Sequence, residues 1–131
     1  MWGCESFDEK IHSGGCLTPD VLVNHTTIRL KSSKRSKAME LIDNLREYSQ
    51  AENGTVHYRA MTDVGDSDVV RFFEQYEDVD AAEAHTESEQ YRQFVESLPE
   101  IVEGTIETIQ IHADDVEHAE FTPEDALKTL D

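Results

Sequence analysis

Three side chains of this sequence have the chemistry of a small-molecule site: Asn24, Tyr76 and His85. An imidazole titrates near neutral pH, so His85 is the first candidate for a general base. A phenol or an amide orients a substrate oxygen or stabilises an anion, and those roles fall to Tyr76 and Asn24. Each residue also has a structural alternative: His85 as a backbone hydrogen-bonding group, Tyr76 as a core aromatic, and Asn24 as a side chain satisfied by backbone.

A strand followed at once by a helix positions two of these side chains. Val69–Tyr76 is aromatic and β-branched, which predicts a strand. A helix is expected from Asp80, the predicted N-cap with Glu83 as its capping-box partner, to Gly104. Its apolar residues recur at three- and four-residue spacing and predict one buried stripe: Tyr91, Phe94, Val95, Leu98, Ile101 and Val102. His85 then lies one turn from the end of the strand.

The other segments complete an α+β pattern. Strands are predicted at 21–31, 55–62 and 105–112, a helix from about Ser36 to Tyr48, and a polar hairpin loop at 63–68. The order is β-α-β-β-α-β, a ferredoxin-like fold with two helices on one face of a four-stranded antiparallel sheet. Residues 21–115 form this domain, 1–20 an N-terminal extension, and 116–131 a tail with a short helix that Phe121, Leu127 and Leu130 would dock onto the domain.

The two-residue period of the strands predicts what faces the helices. In the first strand Asn24 and Thr26 fall on the same face as Ile28 and Leu30, so two polar groups point inward. A mostly apolar cavity with a few polar groups is the usual character of a ligand site. The lining residues predicted for it are Asn24, Thr26, Tyr58, Phe72, Tyr76 and His85, and Ser88 is a further candidate for substrate contact.

The opposite sheet face is apolar and has no predicted cover. It carries Val21, Val23, His25 and Phe73. An apolar face exposed to water is unfavourable, so a second copy of the chain is its expected cover, which predicts a homodimer.

The charge of the chain is extreme for its length. Eleven Lys and Arg against 29 Asp and Glu give a net charge of −18 over 131 residues. Such a surface repels phosphate groups, which excludes nucleic acids and anionic membranes as main partners. The acidic residues are interspersed with apolar periodicity, which favours a folded protein adapted to molar salt, where a Debye length of roughly 3 Å screens repulsion. We therefore expect a halophilic archaeal source.

No part of the sequence predicts an anchor or a secretory leader. No apolar run approaches the roughly 20 residues of a membrane span, and the N-terminus has no apolar core of a signal peptide. We therefore predict a cytoplasmic protein whose Cys4 and Cys16 are thiols rather than a disulfide.

Metal sites are not predicted. Cys4, His12 and Cys16 match no standard zinc spacing, although zinc binding and a Cys4–Cys16 disulfide are alternatives. His25, His57 and His112 are interpreted as surface or dimer-face residues.

The order of residues around His85 resembles the antibiotic biosynthesis monooxygenase (ABM) domain family. The resemblance rests on Tyr76, Ala81, His85, Ser88 and Phe94 and extends over Val21 to Ile111. It implies a dimeric α/β barrel that pairs through its sheet face. It also implies oxidation of a small aromatic or quinol-like compound by dioxygen without a metal or flavin, with His85 as the base.

Two positions depart from the family pattern. Many ABM domains have tryptophan where this chain has Tyr76, and polyketide monooxygenases have asparagine where it has Phe72. Haem-degrading relatives resemble it at His85, which would be the iron ligand, so haem binding is a lesser alternative. The main alternative is a non-enzymatic dimeric barrel that binds a small molecule or a protein partner.

Overall fold

The computed structural model of the protein describes residues 21–130, and the N-terminal extension with Cys4, His12 and Cys16 lies outside them. The elements, in chain order, are β1 (Val21–Arg29), α1 (Arg35–Gln50), β2 (Thr55–Asp63), β3 (Asp66–Tyr76), α2 (Val79–Thr86), α3 (Glu89–Ile101), β4 (Glu107–Ala113) and α4 (Pro123–Leu127). Short 3-10 turns precede α1 and follow α4.

The four strands form one antiparallel sheet in the order β2-β3-β1-β4. The two β-α-β halves interleave in this order, which confirms the predicted ferredoxin-like α+β fold. Leu22 pairs with Tyr76 and Thr26 with Phe72, so the inward residues of β1 and β3 lie side by side on one face. The strand period therefore brings Asn24 and Tyr76 to the same side of the sheet.

The main core lies between this face and helices α1 and α3. Ile28, Val70 and Phe72 from the sheet meet Ile42 from α1 and Ile101 from α3, and all five are buried. Each such side chain stabilises the fold by about 1.5–3 kcal/mol when fully buried.

The second helix differs from the prediction, because it is two helices. α2 ends at Thr86 and α3 begins after Ser88, whose side-chain oxygen accepts from Tyr91 N (3.2 Å) and donates to the carbonyl of His85 (2.7 Å). Serine at this position supplies a cap that competes with continued helix. The predicted N-cap Asp80 was also wrong: Asp78, which has extended backbone angles, accepts from Ala81 N at 2.8 Å.

The loop between β2 and β3 is shorter than predicted. β2 continues to Asp63 and β3 begins at Asp66, so Val64 and Gly65 alone make the turn. Asp63 caps it by accepting from Gly65 N at 2.9 Å. The polar residues that suggested a loop are therefore strand ends stabilised by side-chain contacts.

The terminal helix forms, but it does not dock. Thr122 and Asp125 make a capping box at the start of α4, as its sequence predicts. Phe121, Leu127 and Leu130 are 70%, 65% and 76% exposed, so the prediction that they pack on the domain was wrong. A five-residue helix has too few apolar groups to offset the loss of chain entropy on docking. No helix among the described residues is long and apolar enough to cross a bilayer.

Candidate functional site

A cavity of about 170 Å³ lies between the inner sheet face and helices α2 and α3. Its size is close to that of an engineered apolar cavity of about 150 Å³ that binds benzene. Its lining is largely apolar and includes a few polar side chains. The lining residues that matter for chemistry are Asn24, Thr26, Tyr58, Phe72, Glu74, Tyr76, His85 and Tyr91.

His85 is held by a carboxylate that the sequence did not single out. Its Nδ1 lies 2.8 Å from Oε1 of Glu52, and Ser49 Oγ is a more distant neighbour at 3.5 Å. The imidazole is 2% exposed and Glu52 15%. A carboxylate accepts, so the proton of this contact belongs to Nδ1, and in the neutral ring Nε2 is then the bare nitrogen.

A tight contact between the α1–β2 turn and α2 places Glu52 beside His85. Gly54 has a φ of 84°, and its backbone passes so close to Ala81 that a Cβ added at Gly54 would lie 2.5 Å from the Ala81 Cβ. The Gly54 carbonyl also accepts from Glu77 N at 2.8 Å. The turn that carries Glu52 is therefore fixed against the first turn of the helix that carries His85.

Three tyrosine rings surround the imidazole. The ring centroids of Tyr58, Tyr76 and Tyr91 lie 5.3, 5.8 and 5.0 Å from that of His85. Burial raises the pKa of all three phenols, and the nearby charge of Glu74 raises each pKa further. The phenols are therefore neutral hydrogen-bond donors at physiological pH, and none of them is a base.

Glu74 is a second carboxyl group of the cavity. Tyr76 donates to its Oε1 at 2.6 Å, and Asn24 is a further hydrogen-bond partner. Burial raises the pKa of Glu74, while the hydrogen bond from Tyr76 opposes the rise. Sequence reasoning missed Glu74, although it stands between Phe72 and Tyr76 at the two-residue spacing that marks the inner face.

Two buried polar atoms of the cavity have no hydrogen-bond partner within residues 21–130: Nε2 of His85 and Oδ1 of Asn24. Asn24 is 5% exposed. Buried polar groups in folded proteins are nearly always paired, so unpaired ones in a cavity indicate atoms that a ligand or water satisfies.

The structure brings six of the seven residues of the predicted site together around the cavity: Asn24, Thr26, Tyr58, Phe72, Tyr76 and His85. Thr26 shares a hydrogen bond with Thr108 between their hydroxyls, at 3.0 Å. Ser88 does not line the cavity, because its hydroxyl is used to cap α3. The catalytic and binding roles of these residues remain predictions.

Residues 21–130 contain no group of three or more side chains suited to hold a metal ion. The strand histidines are instead dispersed. His57 contacts Phe73 on the outer sheet face, and the ring of His118 from the C-terminal tail lies 5.8 Å from it. His112 Nε2 lies 3.4 Å from Gln110 Oε1.

The protein is a small α+β protein with a ferredoxin-like sheet and a largely apolar cavity that contains a histidine under its helices. The model of the antibiotic biosynthesis monooxygenase (ABM) family matches residues 21–97. The chain therefore belongs to the ABM family. No curated protein matches the sequence significantly.

Solved structures share the fold at low sequence identity. A candidate antibiotic biosynthesis monooxygenase from Caulobacter crescentus superposes with a TM-score of 0.69 at 16% identity, over 76% of this chain and 93% of that one. One from Nitrosomonas europaea gives 0.68 at 16% identity, over 74% and 93%. A Mycobacterium tuberculosis protein gives 0.68 at 17% identity, over 76% and 99%. At these identities the likeness shows the fold alone.

Proposed function

We propose that the protein is an ABM-type monooxygenase that oxidises a small aromatic or quinol-like compound with dioxygen, with His85 as the base. The observation that carries the proposal is the buried imidazole whose Nδ1 is held by Glu52 and whose Nε2 has no partner among the described residues. A base oriented in this way at an apolar cavity of single-ring size suits the deprotonation of a phenol.

The proposed reaction begins with a proton transfer. The substrate O–H bond breaks, its proton goes to Nε2 of His85, and the electron-rich anion passes an electron to dioxygen directly. For a monophenol oxidised to a quinone, one oxygen atom of O₂ enters the ring and the other leaves as water. Asn24 accepts from a second hydroxyl of the substrate where one is present, Tyr76 packs beside it with its own proton donated to Glu74, and Thr26, Tyr58 and Phe72 surround the ring.

Oxygen uptake tests this proposal. Purified protein is mixed with a panel of phenols and hydroquinones, and dioxygen consumption is followed with wild type and His85→Ala. We expect at least about 100-fold slower uptake in the variant, the usual contribution of a positioned base. His118→Ala is the matched control, because His118 lies on the tail and not at the cavity. Equal rates for His85→Ala and wild type on every compound refute the assignment of the base.

A non-enzymatic role is the second candidate, and the departures at Phe72 and Tyr76 favour it. Phe72 lines the cavity without a polar group, and the phenol of Tyr76 is used by Glu74. A binding protein would take up ligand without consuming oxygen. Ligand-induced stabilisation with no oxygen uptake on any compound of the panel would establish this alternative.

We propose that the reaction needs no cofactor. Haem is the lesser alternative, with His85 as the residue that would hold its iron. A cavity volume of about 170 Å³ suits a single ring better than a porphyrin macrocycle. Titration with hemin is the test: no Soret shift is expected, and a band that disappears in His85→Ala would overturn this part of the proposal.

We propose a homodimer that pairs through the outer sheet face. Ile109 and Ile111 of β4 are 50% and 49% exposed there, and they pair with His25 and with Val23, which is already buried. Burial of such a patch against a second copy stabilises the dimer by about 25 cal/mol for each Å² of apolar surface removed from water. A cytoplasmic location and the absence of nucleic-acid and membrane partners stay predictions from the sequence.

A further inference from the structure

The two unpaired atoms of the cavity have the same hydrogen-bonding character. Oδ1 of Asn24 is an amide oxygen and only accepts. Nε2 of His85 also accepts in the neutral ring, because the contact with Glu52 keeps the proton on Nδ1. A ligand that satisfies both atoms must bring donors of its own.

We propose that the cavity selects the reduced, hydroxyl-bearing form of a single-ring compound over its carbonyl form, and that Glu52 is the positioning residue that sets this preference. A hydroquinone presents two O–H donors to two acceptors. The matching quinone presents two carbonyl oxygens, which would leave both protein atoms unpaired. The inference deepens the proposed function, since a site with this preference binds substrate and releases oxidised product.

The size of the cavity suits a ligand of about one ring. Its volume of about 170 Å³ is near that of the engineered cavity of about 150 Å³ that holds benzene. Phe72, Tyr91 and Phe94 supply ring-to-ring contact along its walls. The two unpaired acceptors then distinguish compounds of equal size by their donors.

Glu52 is suited to this role because it does not itself line the cavity. It acts through the imidazole, as partners of ligating or catalytic histidines commonly do when they fix the tautomer. Glutamine at position 52 can either accept from Nδ1 or donate to it, so Glu52→Gln removes the preference for one tautomer with almost no change in shape. His85 then presents Nε2 either as an acceptor or as a donor.

The test is anaerobic binding, which needs no turnover. Four probes of similar ring size are titrated under argon by calorimetry or NMR: hydroquinone (two donors), 4-methoxyphenol (one), and 1,4-dimethoxybenzene and 1,4-cyclohexanedione (none). An unsatisfied buried acceptor weakens binding, so we expect hydroquinone to bind at least about tenfold tighter than the dione. A dione that binds as tightly as hydroquinone overturns the inference.

Two variants test the role of Glu52. In Glu52→Gln the hydroquinone-to-dione ratio should fall to within about threefold. Glu47→Gln makes the same charge change at an exposed position of α1 and should keep the full ratio. A full ratio in Glu52→Gln overturns the role of Glu52.

A measurement on the wild type alone does not depend on how the variants fold. In the ¹⁵N spectrum of neutral His85, Nε2 should have a pyridine-type shift and Nδ1 a pyrrole-type shift. The opposite pattern overturns the inference.

The binding test and the oxidation test can fail independently of each other. Oxygen uptake without selective binding would leave the proposed function standing and refute this inference. Selective binding without uptake would do the reverse.

Discussion

The close approach of Gly54 to Ala81 gives the sharpest prediction, because the chain contains its own control. In Gly54→Ala the new Cβ would lie 2.5 Å from the Ala81 Cβ, and the residue keeps a φ of 84°. Left-handed backbone costs a non-glycine residue about 1–2 kcal/mol, and overpacking costs about 1–3 kcal/mol more. We expect the free energy of unfolding to fall by about 2–5 kcal/mol in total.

Gly104→Ala separates the two contributions. Gly104 has a similar φ of 79°, but a Cβ there meets nothing within 4 Å. Its substitution should therefore lower the free energy of unfolding by only the backbone part, about 1–2 kcal/mol. Urea denaturation followed by circular dichroism measures both values in the same buffer.

The double variant Gly54→Ala/Ala81→Gly removes the clash and keeps the strained φ. Relative to Gly54→Ala, its free energy of unfolding should rise by the steric contribution of the clash. About 1 kcal/mol of that gain is lost because glycine at position 81 destabilises the helix. The clash should also move the turn that carries Glu52, so the NMR signals of His85 should shift in Gly54→Ala and not in Gly104→Ala. Equal destabilisation by the two single glycine substitutions would refute the reasoning.

Three further predictions concern charge and assembly. Burial raises the folded-state pKa of Glu74, so ionisation of this carboxyl group lowers the free energy of unfolding. The loss is absent at pH values below the unfolded-state pKa and is complete above the folded-state pKa. Glu74→Gln should therefore reduce the loss of stability from acidic to neutral pH in urea titrations, whereas exposed Glu77→Gln should not; parallel profiles for Glu74→Gln and wild type would contradict this. Because the net charge is −18, lowering the salt from molar to about 0.01 M, where the Debye length grows to roughly 30 Å, should lower the melting temperature, and a salt-independent melting temperature would contradict adaptation to high salt. Ile111→Asp should convert the proposed dimer to a monomer in light scattering, whereas Val64→Asp on the exposed hairpin should not; a monomeric wild type would refute the dimer.

Much of the fold was predictable because local patterns and tertiary packing agree. Alternation in β1 and β3 indicated correctly which residues face the helices. The apolar stripe of α3 is buried only in part, because Ile101 is buried, Phe94 and Leu98 are partly buried, and Val95 is 39% exposed. The break at Ser88 was harder to foresee, since a serine fits both a helix interior and a cap. Whether it interrupts the helix depends on the packing of the segments on either side, which the local sequence does not contain.

The site was predicted in part for the same reason. Asn24, Tyr76 and His85 were found from residue type and from their position on strand or helix, and Tyr76 and His85 also from the resemblance to the ABM family. Glu74 could have been found, since it follows the strand period between Phe72 and Tyr76. Glu52 could not, because it is 33 residues from His85 along the chain and sits in a turn that has no periodicity.

The sequence by itself determined the ferredoxin-like order of elements, the inward face of the sheet, the acidic surface and the histidine at the cavity. These features depend on periods of two and about 3.6 residues and on composition, which are local properties of a chain. Only the tertiary structure decided that Glu52 holds His85, that Tyr76 donates to Glu74, and that two acceptor atoms of the cavity have no partner within residues 21–130. Those pairings depend on how the α1–β2 turn packs against α2 through Gly54 and Ala81, a contact between segments distant in sequence.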